Sequence, residues 1–370
     1  MSDRIEFTDI YVDDEIVAAV EDVVRSTRYV KGPVLESFES AFADLVGTEH
    51  AVGVSSGTAA LLLAMDAADI GAGDQVIVPA HSYFATVSPV LKLGAEPIFV
   101  NVTPDSFCLD VDELAAAAEA ADNPQAVVPV HLYGHPAPMD AVADVAAEHD
   151  LTIIEDCAQA HGATLDGRSV GSFGDAGCFS FYPSKNMTVG GDGGMITTDD
   201  GDIARAAREL RNHGRNEAGE HVRLGLNYRL DEVNAAVGRE QLDYVVEWGD
   251  QRRRWAHRYT DQLQSVDAVT PPSEVGPVEH VYHLYVVRVP ERDALRAHLD
   301  DNGVDTGIHY EKPLHRQPAV EARVEEVDGL ERTERLCDEI VSLPMHPRMD
   351  AAEVDEVCRL VRAFYEGGAE

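Results

Sequence analysis

Lysine is almost missing from this 370-residue chain. Of 29 Lys plus Arg, only four are lysines: Lys31, Lys92, Lys185 and Lys312. Against 67 Asp plus Glu they leave a formal net charge of −38. So acidic a chain offers no basic face to phosphate backbones, which excludes nucleic acid as a partner class. The acids are spread along the whole length, the pattern expected of adaptation to a salt-rich cytoplasm, where counter-ions screen the self-repulsion. Cysteine is also scarce. The five thiols, at 108, 157, 178, 337 and 358, are odd in number, widely spaced and form no CxxC pair, which fits a reduced intracellular protein and not a disulfide scaffold. No apolar run approaches the length of a membrane span, and the acidic start "MSDRIEFTDIYVDDE" has no apolar signal region, so a cytoplasmic protein without a membrane partner is expected.

What is present is a strand–helix rhythm. Two amphipathic helical stretches, "DDEIVAAVEDVVRST" and "GPVLESFESAFADLVG", lead into short β-rich runs alternating with helical ones: "HAVGVSS", "GTAALLLAMDAA", "QVIVPA", "EPIFV", "AVVPVHLYG" and "LTIIEDCA". Such alternation predicts an α/β fold with a mostly parallel sheet covered by helices on both faces. After Gly174 come two more strands, "GCFSFYPS" and "GGMITTD", then a helix "DIARAARELRNHG" and a long one from Leu230 to Ser265. A proline-rich linker precedes a strand "VYHLYVVRV", a helix, a strand near "DTGIHY" and a last helix. The division expected is a large domain over 1–255, with an N-terminal helical arm, and a small C-terminal α+β domain over 256–370.

Ligands of open α/β sheets sit at the carboxyl ends of the strands, and several unusual segments fall there. "VSSGTAALL" puts Gly57 and Thr58 where a strand turns into a helix, a place suited to phosphate, though a plain N-cap accounts for Thr58 equally well. "IIEDCAQAHG" ends an apolar strand on two carboxylates, Glu155 and Asp156, which strand alternation sends to opposite faces; a carboxylate buried there calls for a cationic partner. "FSFYPSKNMTVGGDGG" holds Lys185 between an apolar run and a glycine-rich turn. A lysine so placed has a lowered pKa and becomes a usable amine nucleophile. Lysine amines form Schiff bases with carbonyl compounds, above all with pyridoxal 5'-phosphate, PLP. That cofactor needs a phosphate cradle, a carboxylate at its ring nitrogen and an aromatic wall. Gly57 and Thr58, Asp156, and Tyr83 or Phe84 of "PAHSYFAT" fill those places. "HLYGH" spaces His131 and His135 four apart, but Gly134 and Pro136 make a helix there unfavourable, and no metal site is expected.

Together with "RYVKGPVLESFESAFADLVG", "GLNYRLDEVNAAVG", "GIHYEKPLHRQPA" and "SLPMHPRM", these stretches resemble the DegT-type (DegT/DnrJ/StrS) nucleotide-sugar aminotransferases, fold type I PLP enzymes, over nearly the whole chain. The resemblance implies Lys185 as the catalytic Schiff-base lysine, Asp156 at the pyridine nitrogen and Gln159 at the phenolic oxygen. It implies Ser180 beside Gly57 and Thr58 at the phosphate, Tyr83 on the ring, and Asn227 reaching the phosphate from the other subunit of a homodimer with shared active sites. Arg229, His309 and Tyr310 are implied on the sugar-nucleotide side. The reaction implied moves an amino group from an amino acid, L-glutamate, to a nucleotide-linked keto-sugar. "EDCAQAHGA" and "NYRLDE" look more like the 3-amino branch than the 4-amino one. A PLP-dependent sugar dehydratase and a non-catalytic regulator are the alternatives; relatives of the first kind typically carry histidine at the lysine position. The acidic composition also generates a test. Thermal melting in molar KCl is expected at a higher temperature than in low salt, and equal melting points would remove the salt-adaptation reading.

Overall fold

The computed structural model describes residues 4–324 and 327–366. Its centre is a sheet of seven strands: β1 (His50–Val54), β2 (Gln75–Pro79), β3 (Glu96–Val100), β4 (Pro124–Val127), β5 (Thr152–Asp156), β6 (Ala176–Ser180) and β7 (Gly194–Thr198). Their spatial order is β1-β7-β6-β5-β4-β2-β3. β7 runs antiparallel to both its neighbours and every other pairing is parallel. Six strands therefore end on the same edge, where parallel α/β sheets collect their functional loops.

The strands are apolar on both faces because both faces are covered. Val76 and Val78 pack into one core with helix Gly57–Ala67, while Ile77 between them packs into another with helices Val111–Ala120 and Met139–His149. Ile154 and Ile153 divide the same way, as a side-chain period of two requires. Asp156 thus shares the face of Ile154, and Glu155 that of Ile153.

The long helix read from the sequence is interrupted. It forms Glu232–Gln241, tightens to a 3₁₀ turn at Leu242–Tyr244 and resumes as Val245–Leu263. Tyr244 there donates to Asp13 at 2.9 Å, tying the turn to the N-terminal arm. The resumed helix begins in the core of the N-terminal arm with Val245 and Trp248, then enters a separate core with Ala256, Tyr259 and Leu263. That second core contains strands β8 (Tyr285–Arg288) and β9 (Ile340–Leu343), antiparallel to one another, and helix Ala351–Glu366. The strand read near "DTGIHY" is a loop held to β9 by one bridge, Gly307 to Ser342. Among the described residues no helix is long and apolar enough to cross a membrane.

Buried histidines set how this fold responds to acid. Burial pulls His81, His309 and His346 from 6.5 to about 4, and His161 to about 3; His135, His280, His283 and His315 are lowered too. Each is neutral when folded and charged when unfolded below its ordinary pKa. Their contribution is complete above about pH 6.5 and is lost as pH falls towards 4, because the unfolded chain binds more protons there. Asp156 and Asp66, raised by burial, work in the opposite direction but are fewer than the histidines. The urea midpoint is expected to drop steeply between pH 7.5 and pH 5 at constant m-value; a flat profile would mean these rings are solvated or charged in the fold.

Candidate active site

Five strand ends, those of β1, β2, β4, β5 and β6, and the loop at 309–310 converge on a cleft of about 410 Å³. β1 ends at Val54 and feeds helix Gly57–Ala67, whose N-cap is Ser56: its hydroxyl accepts from the Ala59 N–H at 3.1 Å. Thr58 is therefore not the cap. It lines the cleft with Ser56, Gly57 and Ser180. Only glycine suits position 57, since a Cβ there would lie 2.5 Å from the Ser180 Cβ. On the next strand a Cβ at Gly194 would lie 2.5 Å from the Ser56 carbonyl. The helix start, the end of β6 and the start of β7 are thus drawn together into a backbone-walled cradle at a helix N-terminus, the geometry that takes a phosphate.

Asp156 closes β5 at the opposite side. It is 5% exposed. The Thr86 hydroxyl donates to one carboxylate oxygen at 2.8 Å and the Ala158 N–H to the other at 3.2 Å. With the single Thr86 proton committed, Ser82 donates in turn to Thr86 at 2.7 Å. Burial raises the Asp156 pKa, while these hydrogen bonds and Lys185 hold it down. Glu155, fully buried on the other face, has no cationic side chain of the kind the sequence called for. It accepts from the Gly171, Phe173 and Gly174 N–H groups, each at 2.8 Å. It also accepts from His131 Nε2 at 3.0 Å, since Nδ1 of that ring takes the Ala137 N–H. Three backbone amides and a ring N–H replace the ion pair. His131, Glu155 and Cys157 are the only group among the described residues close enough to hold a metal, and the first two already spend their ligand atoms on this network.

Lys185 follows β6, its N–H donating to the Tyr182 carbonyl at 2.8 Å. It lines the cleft, partly accessible through the mouth. Loss of water around the amine lowers its pKa from 10.5 to about 8, against the pull of Asp156. Gln159 lies between these groups and the loop at 309–310. Its Oε1 accepts from the Tyr133 N–H at 2.7 Å and its Nε2 donates to Tyr310 Oη at 2.9 Å. Tyr83, 58% exposed, lines the mouth with its ring 5.6 Å from that of Tyr310. His309 also lines the cleft, with Nδ1 2.8 Å from Ser342 Oγ and its ring stacked on Phe7 at 5.6 Å.

Nine of the eleven site residues named from the sequence meet in this cleft: Gly57, Thr58, Tyr83, Asp156, Gln159, Ser180, Lys185, His309 and Tyr310. Asn227 and Arg229 do not. They lie on the segment after residue 221, where Leu224 is fully exposed and Leu226 is 59% exposed. Arg229 donates to Asn212 at 3.0 Å. Asn227 is not a helix cap, because Asp231 caps helix Glu232–Gln241 through the Asn234 N–H. Sequence reading missed Thr86, although "HSYFAT" places it one short turn beyond Tyr83. It also missed Tyr133, whose backbone conformation (φ 60°) leaves no mark in residue type.

The residues fit PLP: a cradle that a Cβ would fill, a buried carboxylate, an amine of lowered pKa and an aromatic mouth. Comparison with known proteins agrees. Residues 11–362 match the family described as DegT/DnrJ/EryC1/StrS aminotransferases. A dTDP-3-amino-3,4,6-trideoxy-alpha-D-glucose transaminase of Streptomyces venezuelae is 41% identical over 352 residues, covering 95% of this chain and 92% of the relative. A protein of Geobacillus stearothermophilus named pleiotropic regulatory protein is 38% identical, covering 95% and 94%. The crystal structure of S. venezuelae DesV in complex with a ketimine intermediate superposes with a TM-score of 0.95 at 40% identity, covering 98% of this chain and 99% of that one. The chain belongs to the DegT/DnrJ/EryC1/StrS aminotransferase family and is a PLP-dependent sugar aminotransferase.

Proposed function

We propose that this enzyme moves the amino group of L-glutamate to the C3 keto position of a nucleotide-linked sugar, in the cytoplasm of a salt-adapted cell. The observation that carries the reading is Lys185, an amine lowered to about 8, sharing one cleft with the buried Asp156 and with the cradle at Gly57 and Ser180. C3 is favoured by the 3-amino product in the name of the S. venezuelae relative and by "EDCAQAHGA" and "NYRLDE". Glutamate rests on the family resemblance.

In this reading Lys185 holds PLP covalently, Gly57, Thr58 and Ser180 hold its phosphate, Asp156 faces the ring nitrogen, Gln159 faces the phenolic oxygen and Tyr83 covers the ring. PLP supplies an electron sink for the carbanion left when an amino acid loses its α-proton. With its amine free, Lys185 would take that proton as a general base and return it as a general acid; a pKa near the working pH suits both roles. Asp156, fixed by Thr86 and Ala158, keeps a negative charge opposite the ring nitrogen and so keeps that nitrogen protonated. The exposed mouth beside Tyr83, His309 and Tyr310 receives the sugar.

Asn227 and Arg229 serve the cleft of a second subunit in this proposal. The exposed Leu224 and Leu226 supply apolar surface for a homodimer. The Lys31 pKa is lowered by burial and by Arg229, Arg211 and Arg215; Arg211 is paired with Glu39, so Lys31, Arg215 and Arg229 are the cations this region adds to a chain that is otherwise strongly acidic. Such a cluster complements a nucleoside diphosphate. The name of the G. stearothermophilus relative favours a regulator as the second reading, and the intact Lys185 and Asp156 count against it.

The direct test is to add glutamate to the holoenzyme and then present keto-sugar nucleotides. Bleaching of the cofactor chromophore and an amino-sugar product with nitrogen at C3 by NMR are expected. No bound PLP would favour the regulator, and nitrogen at C4 would overturn the regiochemistry. Lys185→Ala is expected to abolish turnover. Asn227→Asp is expected to weaken PLP binding by setting a carboxylate against the phosphate. At a PLP concentration where Asn227→Asp is empty and inactive, the two variants are dissociated and reassociated together; half the dimers are then mixed and each mixed dimer holds one intact site. Roughly a quarter of wild-type activity is then expected from an isologous dimer. A mixture that stays dead after verified subunit exchange would place Asn227 outside the neighbouring site.

A further inference from the structure

We infer that Tyr310 is a positioning residue: its hydroxyl fixes the Gln159 amide so that one Nε2–H is aimed at the phenolic oxygen of the bound cofactor. The inference rests on the proposed placement of Gln159 at that oxygen. Which end of an amide faces where is settled by its partners. A backbone N–H can only donate, so the Tyr133 N–H at 2.7 Å identifies the Gln159 oxygen. The other end is then the NH₂, and it carries two hydrogens. One of them goes to Tyr310 Oη at 2.9 Å. The second is left for the cleft that Gln159 lines. Burial raises the Tyr310 pKa, with Asp156 adding to the effect, so the phenol stays neutral and offers its lone pair to the amide at any working pH.

Two anchors on opposite ends of one planar group fix its plane. With the Tyr133 anchor alone, the amide plane can still pivot about the line from Oε1 to the Tyr133 N–H as the side-chain torsions adjust, and the hydrogen aimed at the cleft moves with it. Gln159 and Tyr133 belong to the loops that follow β5 and β4, whereas Tyr310 comes from the loop bridged to β9 through Gly307 and Ser342. That loop is held from behind, because the Tyr133 hydroxyl donates to the His309 carbonyl and His81 Nε2 lies 2.7 Å from the same hydroxyl. Tyr310 therefore connects the small core, where the sugar enters, to the electronic state of the cofactor. A donor at the phenolic oxygen lowers its basicity and weakens its hold on the neighbouring imine proton. Losing that donor makes the imine proton harder to remove.

The test is the pH titration of the cofactor absorbance in holoenzyme without substrate, with PLP content and thermal melting recorded alongside. Tyr310→Phe keeps the ring packing and removes only the hydroxyl. Its absorbance midpoint is expected to move up by roughly half a pH unit or more, the equivalent of one neutral hydrogen bond. Gln159→Leu is expected to move the midpoint in the same direction by at least as much. The double variant is expected to match Gln159→Leu alone, because Tyr310 has nothing left to act through. A Tyr310→Phe midpoint equal to wild type, beside a shifted Gln159→Leu, would overturn the positioning role while leaving Gln159 at the oxygen. Additive shifts in the double variant would overturn it as well, by showing that Tyr310 acts on the cofactor directly. No shift in Gln159→Leu would overturn both the inference and the placement it rests on.

Discussion

The Asp156 carboxylate is the constraint on which the rest of the cleft depends. A charge 5% exposed at the end of a central strand is costly unless every lone pair is answered. Thr86 and the Ala158 N–H answer part of the demand, and the field of Lys185 answers more. The same arrangement leaves the lysine poorly hydrated, so that its amine falls to about 8. Each group pulls the other towards its charged form, against the burial they share. The backbone brings them together only because β5 and β6 are parallel neighbours whose ends fall on the same edge.

Tight backbone contacts hold that edge in place. Gly57 against Ser180 and Gly194 against the Ser56 carbonyl leave no room for a side chain. The cradle is therefore a property of three elements packed together and not of one loop. Glu155 does comparable work on the other face. By accepting three backbone N–H groups from Gly171, Phe173 and Gly174 it pins the turn that leads into β6. Adjacent carboxylates on one strand thus have separate duties, one in the cleft and one in the scaffold, because strand alternation points them in opposite directions.

The small core contributes through contact with this edge. His309 and Tyr310 reach the cleft from a loop tied to β9, and their positions are set by Tyr133, Gln159 and Phe7. Those three residues come from distant parts of the chain. Helix Val245–Leu263, shared between two cores, fixes the framework in which they meet.

The sequence by itself determined the α/β alternation and singled out the lysine and the carboxylate that the fold brings to one cleft. These are local matters: apolar runs of strand length, a glycine at a strand–helix turn, and one lysine among four set beside a glycine-rich segment. Several features were decided only by tertiary structure. Ser56 and not Thr58 caps the helix, because capping depends on which hydroxyl the turn directs at the first N–H groups. Glu155 is satisfied by backbone amides sixteen to nineteen residues away in sequence, which no residue type announces. The helix after Leu230 breaks at Leu242–Tyr244 although its apolar periodicity continues, because the turn is held by a partner on the N-terminal arm. Thr86, Tyr133 and the two-ended grip on Gln159 are invisible in the string for the same reason: a hydrogen bond between remote segments depends on where the fold brings a donor and an acceptor, and the sequence records only that both exist.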